Sequence, residues 1–525
     1  MRTAPILAAL AVALGSAWGP SSAHPLNSDN FAPVRRPPPE FGSGMRGGPG
    51  FGPIVPGVAG GALVTLPPPE RTEVADGWRQ PPHRPPKRPP NIHREPPPTV
   101  VARRPPIRTI VEPTPQRVVA KAPGPPVPAA PVGLPAVAAS VFPPPAGETR
   151  FRPDEVVVIA PPGASAATLA PILSRRRLIE VEAQPLATGG SLRLWRIPDG
   201  RAVASVIGEL AGERVLSSVE PDYLYALLDD HSASAPPALA EYWLAKLDDD
   251  PALDRPESDP VRVAVIDTGI DAAHPDLAQA VEARFDAIGD GRAPQTLAHG
   301  TAVAGAIAAR GRIRGVAPSA RILSARAFDE EAGRPLGSTY SIMKAIDWAV
   351  QAHARVVNMS FAGPPDPALH GLLEAAAAKG VTLIAAAGNA GPKSPPLYPA
   401  ADKSVVAVTA TNADDAVYPM ANAGPYVAVA APGVDVLLPV PNGGYAMETG
   451  TSVSAALVSG VAALVMERRP EATPAEVRAW LETTARPLPR AEKDRVGSGL
   501  VDARLAVAAA ETGAPRALGA APAGF

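Results

Sequence analysis

Proline constrains this chain more than any other residue. Of its 69 prolines, 35 lie in the first 150 of 525 residues. Proline fixes φ and removes a backbone donor, so a stretch this dense cannot build helices or sheets and samples polyproline II instead. A packed fold therefore has to begin near residue 150. The charge divides at the same place: 16 Lys and Arg stand against 8 Asp and Glu before residue 151, and 33 against 43 after it. A net charge of −2 thus hides a basic leader and an acidic remainder. The chain has no cysteine, which excludes disulfides, Cys-based metal centres and a thiol nucleophile.

Residues 1–23 read as an export signal, with Arg2, an apolar run from Ile6 to Trp18, and Ser21-Ser22-Ala23 as a cleavage site. That run is too short to span a bilayer. No cysteine follows it to carry a lipid anchor, and no other stretch reaches 18 apolar residues free of charge and proline. The mature protein is expected to be soluble, without a transmembrane segment, and secreted or periplasmic. Residues 24–149 read as a disordered Pro-rich linker. The bland interpretation is a solvated spacer; the interspersed Arg and Lys also suit a proline-reading domain or an anionic surface.

The folding pattern starts at Phe151. Apolar and alternating runs predict strands at 155–159, 178–181, 192–197 and 215–227, and helices at 165–176 and 202–210. That β-α-β-β-α-β order predicts a small ferredoxin-like α+β domain over 150–228. After a second linker, 229–239, continuous apolar strands alternate with helices through 240–510. This predicts an α/β domain around a mostly parallel sheet. Residues 511–525 read as a disordered tail.

Four residues stand where chemistry could be done. Val263-Ala264-Val265-Ile266 ends in Asp267-Thr268-Gly269, which puts a carboxylate at the carboxyl end of a buried strand, where α/β sheets open their crevices. His299 lies between a polar loop and a helix start, beside Gly300. Asn389 follows strand 381–384 in Ala385-Ala386-Ala387-Gly388-Asn389. Ser452 stands at the start of a long apolar helix, after Gly450-Thr451. Taken singly, each also reads as a turn, core or cap residue.

Together, in the order Asp, His, Asn, Ser, these segments resemble the subtilisin-like serine peptidases. The Asp267 segment is similar to the first family signature, His299-Gly300-Thr301 with Val303-Ala304-Gly305 to the second, and Gly450-Thr451-Ser452 to the third. Gly315-Val316-Ala317-Pro318, Asn358-Met359-Ser360-Phe361, Ala431-Pro432-Gly433 and Gly497-Ser498-Gly499 extend the likeness across roughly 240–510. It implies peptide-bond hydrolysis by a triad. A serine hydroxyl is a poor nucleophile at neutral pH, so His299 would take its proton, and Asp267 would orient the imidazole. Asn389 and the backbone N–H of Ser452 would hold the oxyanion. Gly337, Ser338 and Thr339, with Ser360, Phe361, Ala362 and Gly363, match the two segments that pair with an extended substrate. Ala386, Ala387 and Gly388 would line the primary pocket. By the same resemblance residues 150–228 are an inhibitor-like propeptide whose last strand delivers the chain to the active site, with self-cleavage between about residues 227 and 239. The implied partners are polypeptide substrates and the chain's own propeptide, without nucleic acid and without a cofactor for the chemistry.

The chain also departs from the family. Where its members usually have Met-Ala-Ser-Pro-His after the nucleophile, this chain has Val453-Ser454-Ala455-Ala456-Leu457, and Ala302 stands where a histidine often follows His-Gly. The loop from Arg310 to Gly315 presents cations where a calcium loop needs oxygen ligands. That particular calcium loop is expected to be absent, although structural calcium elsewhere stays open: Asp276 and Asp248-Asp249-Asp250 offer oxygen ligands but read first as solvated acids. A second reading stays open: a catalytically silent fold that binds peptides or the cell envelope.

Overall fold

Four valine-rich or alternating runs early in the chain become one sheet. The structure, a computed structural model of the chain, describes residues 139–228, 230–231, 241–254, 259–331 and 333–513. The expected export signal, nearly all of the Pro-rich tract, most of the second linker and the end of the tail lie outside the described residues. The sheet contains β1 (Phe151–Ala160), β2 (Ile179–Pro185), β3 (Ser191–Arg196) and β4 (Ser218–Leu227), with α1 (Ala166–Arg176) after β1 and α2 (Val203–Leu210) after β3. The spatial order is β4-β1-β3-β2, antiparallel throughout. This is the ferredoxin-like arrangement expected from the element order. Leu169 and Ile172 of α1 and Val206, Ile207 and Leu210 of α2 pack on Val156, Val158 and Trp195.

A second sheet follows in the larger half. Its elements begin with β5 (Arg262–Asp267), β6 (Val281–Asp286), α3 (Ala298–Ala308), β7 (Arg321–Arg326), β8 (Arg334–Ser338) and α4 (Thr339–Gln351). There follow β9 (Val356–Met359), β10 (Phe361–Ala362), α5 (Pro367–Ala378), β11 (Thr382–Ala386), β12 (Val405–Thr411) and β13 (Val427–Pro432). The chain ends with the hairpin β14 (Val436–Val440) and β15 (Gly444–Thr449), then α6 (Thr451–Arg468), α7 (Pro474–Thr483) and α8 (Ala503–Thr512). Seven strands form a parallel sheet in the order β13-β12-β11-β9-β5-β7-β6.

Both faces of that sheet are covered, which is why its inner strands are buried along nearly their whole length, whereas the edge strand β6, VEARFD, alternates half-buried and exposed residues. On β5, Val263 and Val265 enter the core beneath α3, α6, α7 and α8, while Ala264 and Ile266 enter the core beneath α4 and α5. Each fully buried valine contributes about 1.5–3 kcal/mol relative to exposure. Helix α6 has 17 of 18 residues buried, so its all-round apolarity is that of a central core helix. Among the described residues it is the one helix long and apolar enough to cross a membrane.

Strand β4 belongs to both halves. Over Ser218–Tyr223 one edge pairs with β1, and the end of the strand lies between β8 and β10 of the larger half, with Ala226 paired antiparallel to Leu336 on one side and to Ala362 on the other. Val157, Leu192, Leu194, Tyr223 and Tyr225 share a core with residues of α4 and α5, so the small sheet lies face-down on those two helices.

Two acids expected in solvent are buried instead. Both oxygens of Asp276 are used: Oδ1 accepts from the Arg312 N–H at 3.0 Å, and Oδ2 from the Ile313 N–H and the Tyr445 hydroxyl, each at 3.0 Å. The carboxylate satisfies backbone donors of the short loop that follows α3. Its surroundings suit an anion, not a cation. Asp249 is likewise buried and pairs with Arg314 at 2.7 Å. Burial and a tight loop, invisible in the local acidic run, account for both differences.

Candidate active site

Asp267 is the last residue of β5 and fully buried. Its Oδ1 accepts from the Thr268 N–H at 2.7 Å, and its Oδ2 lies 2.6 Å from Nδ1 of His299. A carboxylate only accepts, so Nδ1 donates the proton of that bond. His299 is held in the first turn of α3, and Gly300 allows that turn to approach β5. A Cβ at Gly300 would stand 2.2 Å from the Gly269 carbonyl oxygen.

Ser452 sits in the first turn of α6, which packs along α3. Its hydroxyl donates to the carbonyl oxygen of Leu228 at 2.8 Å. Asn389 reaches the same oxygen, with Nδ2 donating at 3.0 Å. The amide cannot rotate freely, because Asn389 Oδ1 accepts from the Thr451 N–H at 3.1 Å and from the Thr451 hydroxyl at 2.9 Å. Behind α6, Asn358 Nδ2 donates to Ser360 Oγ at 2.9 Å, and Ser360 Oγ donates to the Ser452 carbonyl at 3.2 Å. The side chain of Ser360 therefore braces the helix that carries Ser452. Sequence reading saw these residues as part of a motif and missed that task.

Leu228 is delivered by β4. Gly337 and Ser338 of β8 stand opposite Tyr225 and Leu224, and Phe361 and Ala362 of β10 stand opposite Leu227 and Ala226. Thr339 Oγ1 accepts from the Tyr223 N–H at 3.1 Å. Beyond Leu228 the chain continues as the two-residue strand Asp230–His231, paired antiparallel with Glu448 and Thr449 of β15. Gly363 lies against the Tyr225 ring. Ala387 and Gly388 are tied by backbone bonds to Val408 and to the Thr451 hydroxyl, and Ala386 closes β11.

Two acids of β4 dock on helix starts. Asp222 Oδ1 accepts from the Tyr340 N–H of α4 at 2.9 Å, and Glu220 Oε2 accepts from the Ala368 N–H of α5 at 2.9 Å. Helix N-termini offer unpaired N–H groups and a positive dipole end, which favours this placement. Burial nonetheless raises both pKa values. Asp222 is pushed up to about 7, and Glu220 goes well above the ordinary carboxylate range through burial and then the neighbouring Asp366. Nothing in the sequence singled out this Glu-x-Asp pair. Among the described residues no group of His, Asp and Glu is arranged to hold a metal ion.

This arrangement pairs a buried His–Asp dyad with a hydroxyl and an amide that converge on one peptide carbonyl. Comparison with known proteins points the same way. Residues 258–515 match the model of the subtilase family. The chain is 38% identical over 237 residues to subtilisin E of Bacillus subtilis (strain 168), covering 43% of this chain and 60% of that relative. It is 38% identical to the subtilisin of Bacillus pumilus, covering 83% of it, and 36% identical to subtilisin Savinase of Lederbergia lenta, covering 90%. The chain thus spans well under two thirds of the length of subtilisin E. In fold it is similar to fervidolysin from Fervidobacterium pennivorans, with a TM-score of 0.60 at 24% identity over 71% of this chain and 63% of that one.

Proposed function

The chain belongs to the subtilase family, and we propose that it is an exported serine endopeptidase, made as a zymogen that cuts its own backbone between Leu228 and Asp229. The observation that carries this reading is the Leu228 carbonyl, approached by Ser452 Oγ at 2.8 Å and Asn389 Nδ2 at 3.0 Å.

In this reading Ser452 Oγ attacks the Leu228 carbonyl carbon while His299 Nε2 takes the hydroxyl proton. Asp267, 2.6 Å from Nδ1, orients the ring and stabilises the imidazolium that forms. The negative charge that develops on the carbonyl oxygen is met by Asn389. The Leu228–Asp229 bond breaks as His299 returns the proton to the Asp229 nitrogen. Water then hydrolyses the acyl ester by the reverse proton path. No cofactor enters these steps.

The proposed organisation follows: export signal 1–23, Pro-rich linker 24–149, inhibitor-like propeptide 150–228, linker 229–239, peptidase domain 240–510, and tail 511–525. β4 fills the groove between β8 and β10 as a substrate would, so the propeptide inhibits until it leaves. Cleavage at Leu228 also detaches the Pro-rich tract, which limits that tract to a role before maturation or in the bound complex. Polypeptides are the substrate class, because backbone pairing to β8 and β10 tolerates many sequences.

The test is to express residues 24–525, wild type beside Ser452→Ala, and follow intact masses. The wild type is expected to split into fragments ending at Leu228 and beginning at Asp229, while the variant stays whole. A folded wild type that stays whole, or a variant that splits equally, overturns the proposal.

A further inference from the structure

The groove that holds β4 contains one built pocket. Tyr225, the fourth residue before the proposed cut, is fully buried. Its ring meets Phe361 edge to face, with centroids 5.8 Å apart, and its hydroxyl donates to Asp366 Oδ2 at 2.9 Å. Thr339 Oγ1 donates to that same oxygen at 2.6 Å, and Asp366 Oδ1 caps α5 through the Leu369 N–H at 2.8 Å. The carboxylate is thus pinned from both sides and cannot turn away from the ring. Gly363 forms the wall: a Cβ there would lie 2.4 Å from Tyr225 Cδ1. Burial, followed by the charge of Asp366, holds the Tyr225 phenol well above its ordinary pKa, so it stays a donor.

Thr339, Phe361, Gly363 and Asp366 all belong to the half of the molecule that remains after cleavage, so the pocket outlasts the strand that fills it. We propose that Asp366 makes this enzyme select tyrosine over phenylalanine four residues before the cleaved bond, with Gly363 providing the room for the ring. The proposal rests on the peptidase reading above and names its substrate class: extended peptides of the pattern Tyr-x-x-Leu, as in the chain's own Tyr225-Ala226-Leu227-Leu228. A phenylalanine in that place would bury its ring equally well but leave the Asp366 oxygen short of one donor, and sites built for a hydroxyl discriminate against analogues lacking it.

The experiment uses enzyme purified after the full chain has processed itself, with three fluorogenic peptide amides: Tyr-Ala-Leu-Leu, Phe-Ala-Leu-Leu and Ala-Ala-Leu-Leu. The expected kcat/KM for the tyrosine peptide is about tenfold above phenylalanine and about a hundredfold above alanine. Asp366→Ser keeps a helix-capping hydroxyl but falls short of the ring, and should bring the Tyr/Phe ratio close to one. Gly363→Ala should lower Tyr/Ala and Phe/Ala together. Equal wild-type rates on the tyrosine and phenylalanine peptides, or a Tyr/Phe ratio unmoved by Asp366→Ser, overturn the assignment. A merely structural Asp366 would lower both rates and leave the ratio alone. Failure to cut any of the three peptides would overturn the peptidase reading and this assignment with it.

Discussion

Asn389 offers a sharp separation of chemistry from structure, because its two side-chain atoms do different jobs. Oδ1 accepts from Thr451 N–H and Oγ1, whereas Nδ2 donates to Leu228 O at 3.0 Å. Asn389→Asp keeps an oxygen for Thr451 and turns the donor toward the reacting carbonyl into an acceptor. Asn389→Leu removes both functions at similar volume. Loss of one such donor costs about 2.7–4 kcal/mol of transition-state stabilisation in a subtilisin, or about 10²–10³ in kcat. The Asp variant should lose at least that much, since a carboxylate opposes the oxyanion, while its melting temperature stays close to wild type. The Leu variant should lose a similar factor in rate and a further ~1–3 kcal/mol of stability, from the unpaired Thr451 donors. Self-cleavage followed by intact mass, kcat and KM on a peptide amide, and a thermal melt measure all three quantities. KM should move much less than kcat, because the bond strengthens as charge develops. If Asn389→Asp processed itself within threefold of wild type, the assignment of this amide to the oxyanion would be refuted.

Three further outcomes follow from the same geometry. Asp222 and Glu220 hold their protons more tightly when docked than in a free strand. Docking of the cleaved propeptide is therefore strongest below about pH 4 and weakens as pH rises through about 7 for Asp222, and higher for Glu220; native mass spectrometry between pH 5 and 8 should show faster release at the alkaline end, and Asp222→Asn should flatten that dependence. Gly300→Ala places a methyl 2.2 Å from the Gly269 carbonyl and 3.2 Å from Asp267 Oδ1, so it should cost about 1–3 kcal/mol by overpacking and reduce peptide hydrolysis far more than that loss of stability explains, as paired melts and kinetics would reveal. Asp276→Ala leaves the Arg312 and Ile313 N–H groups and the Tyr445 hydroxyl without their acceptor; a loss of about 2–4 kcal/mol is expected, and added calcium should not restore the melting temperature.

Much of this protein was legible in one dimension. The start of regular strand and helix patterning near residue 150 agrees with β1 at Phe151–Ala160. The β-α-β-β-α-β order of 151–227 and the continuous apolar strands of the parallel sheet follow from patterning, which reports how many faces of an element are covered. Asp267, His299, Asn389 and Ser452 drew attention because short motifs surround each of them. Their roles were not visible in any single segment, since each alone reads as a turn or cap.

Tertiary structure decided the rest. The contact between Leu228 and Ser452 joins residues 224 positions apart, and no local pattern encodes it; it exists because β4 completes one sheet and runs on between β8 and β10. The fate of the acids was equally a matter of the fold. Asp276 looked solvated and is buried, Asp366 caps a helix and also meets a tyrosine, and Glu220 and Asp222, read only as part of a strand, sit on two helix starts. A carboxylate's environment is set by which N–H groups and charges arrive from distant segments, and those arrivals are determined only when the whole chain packs.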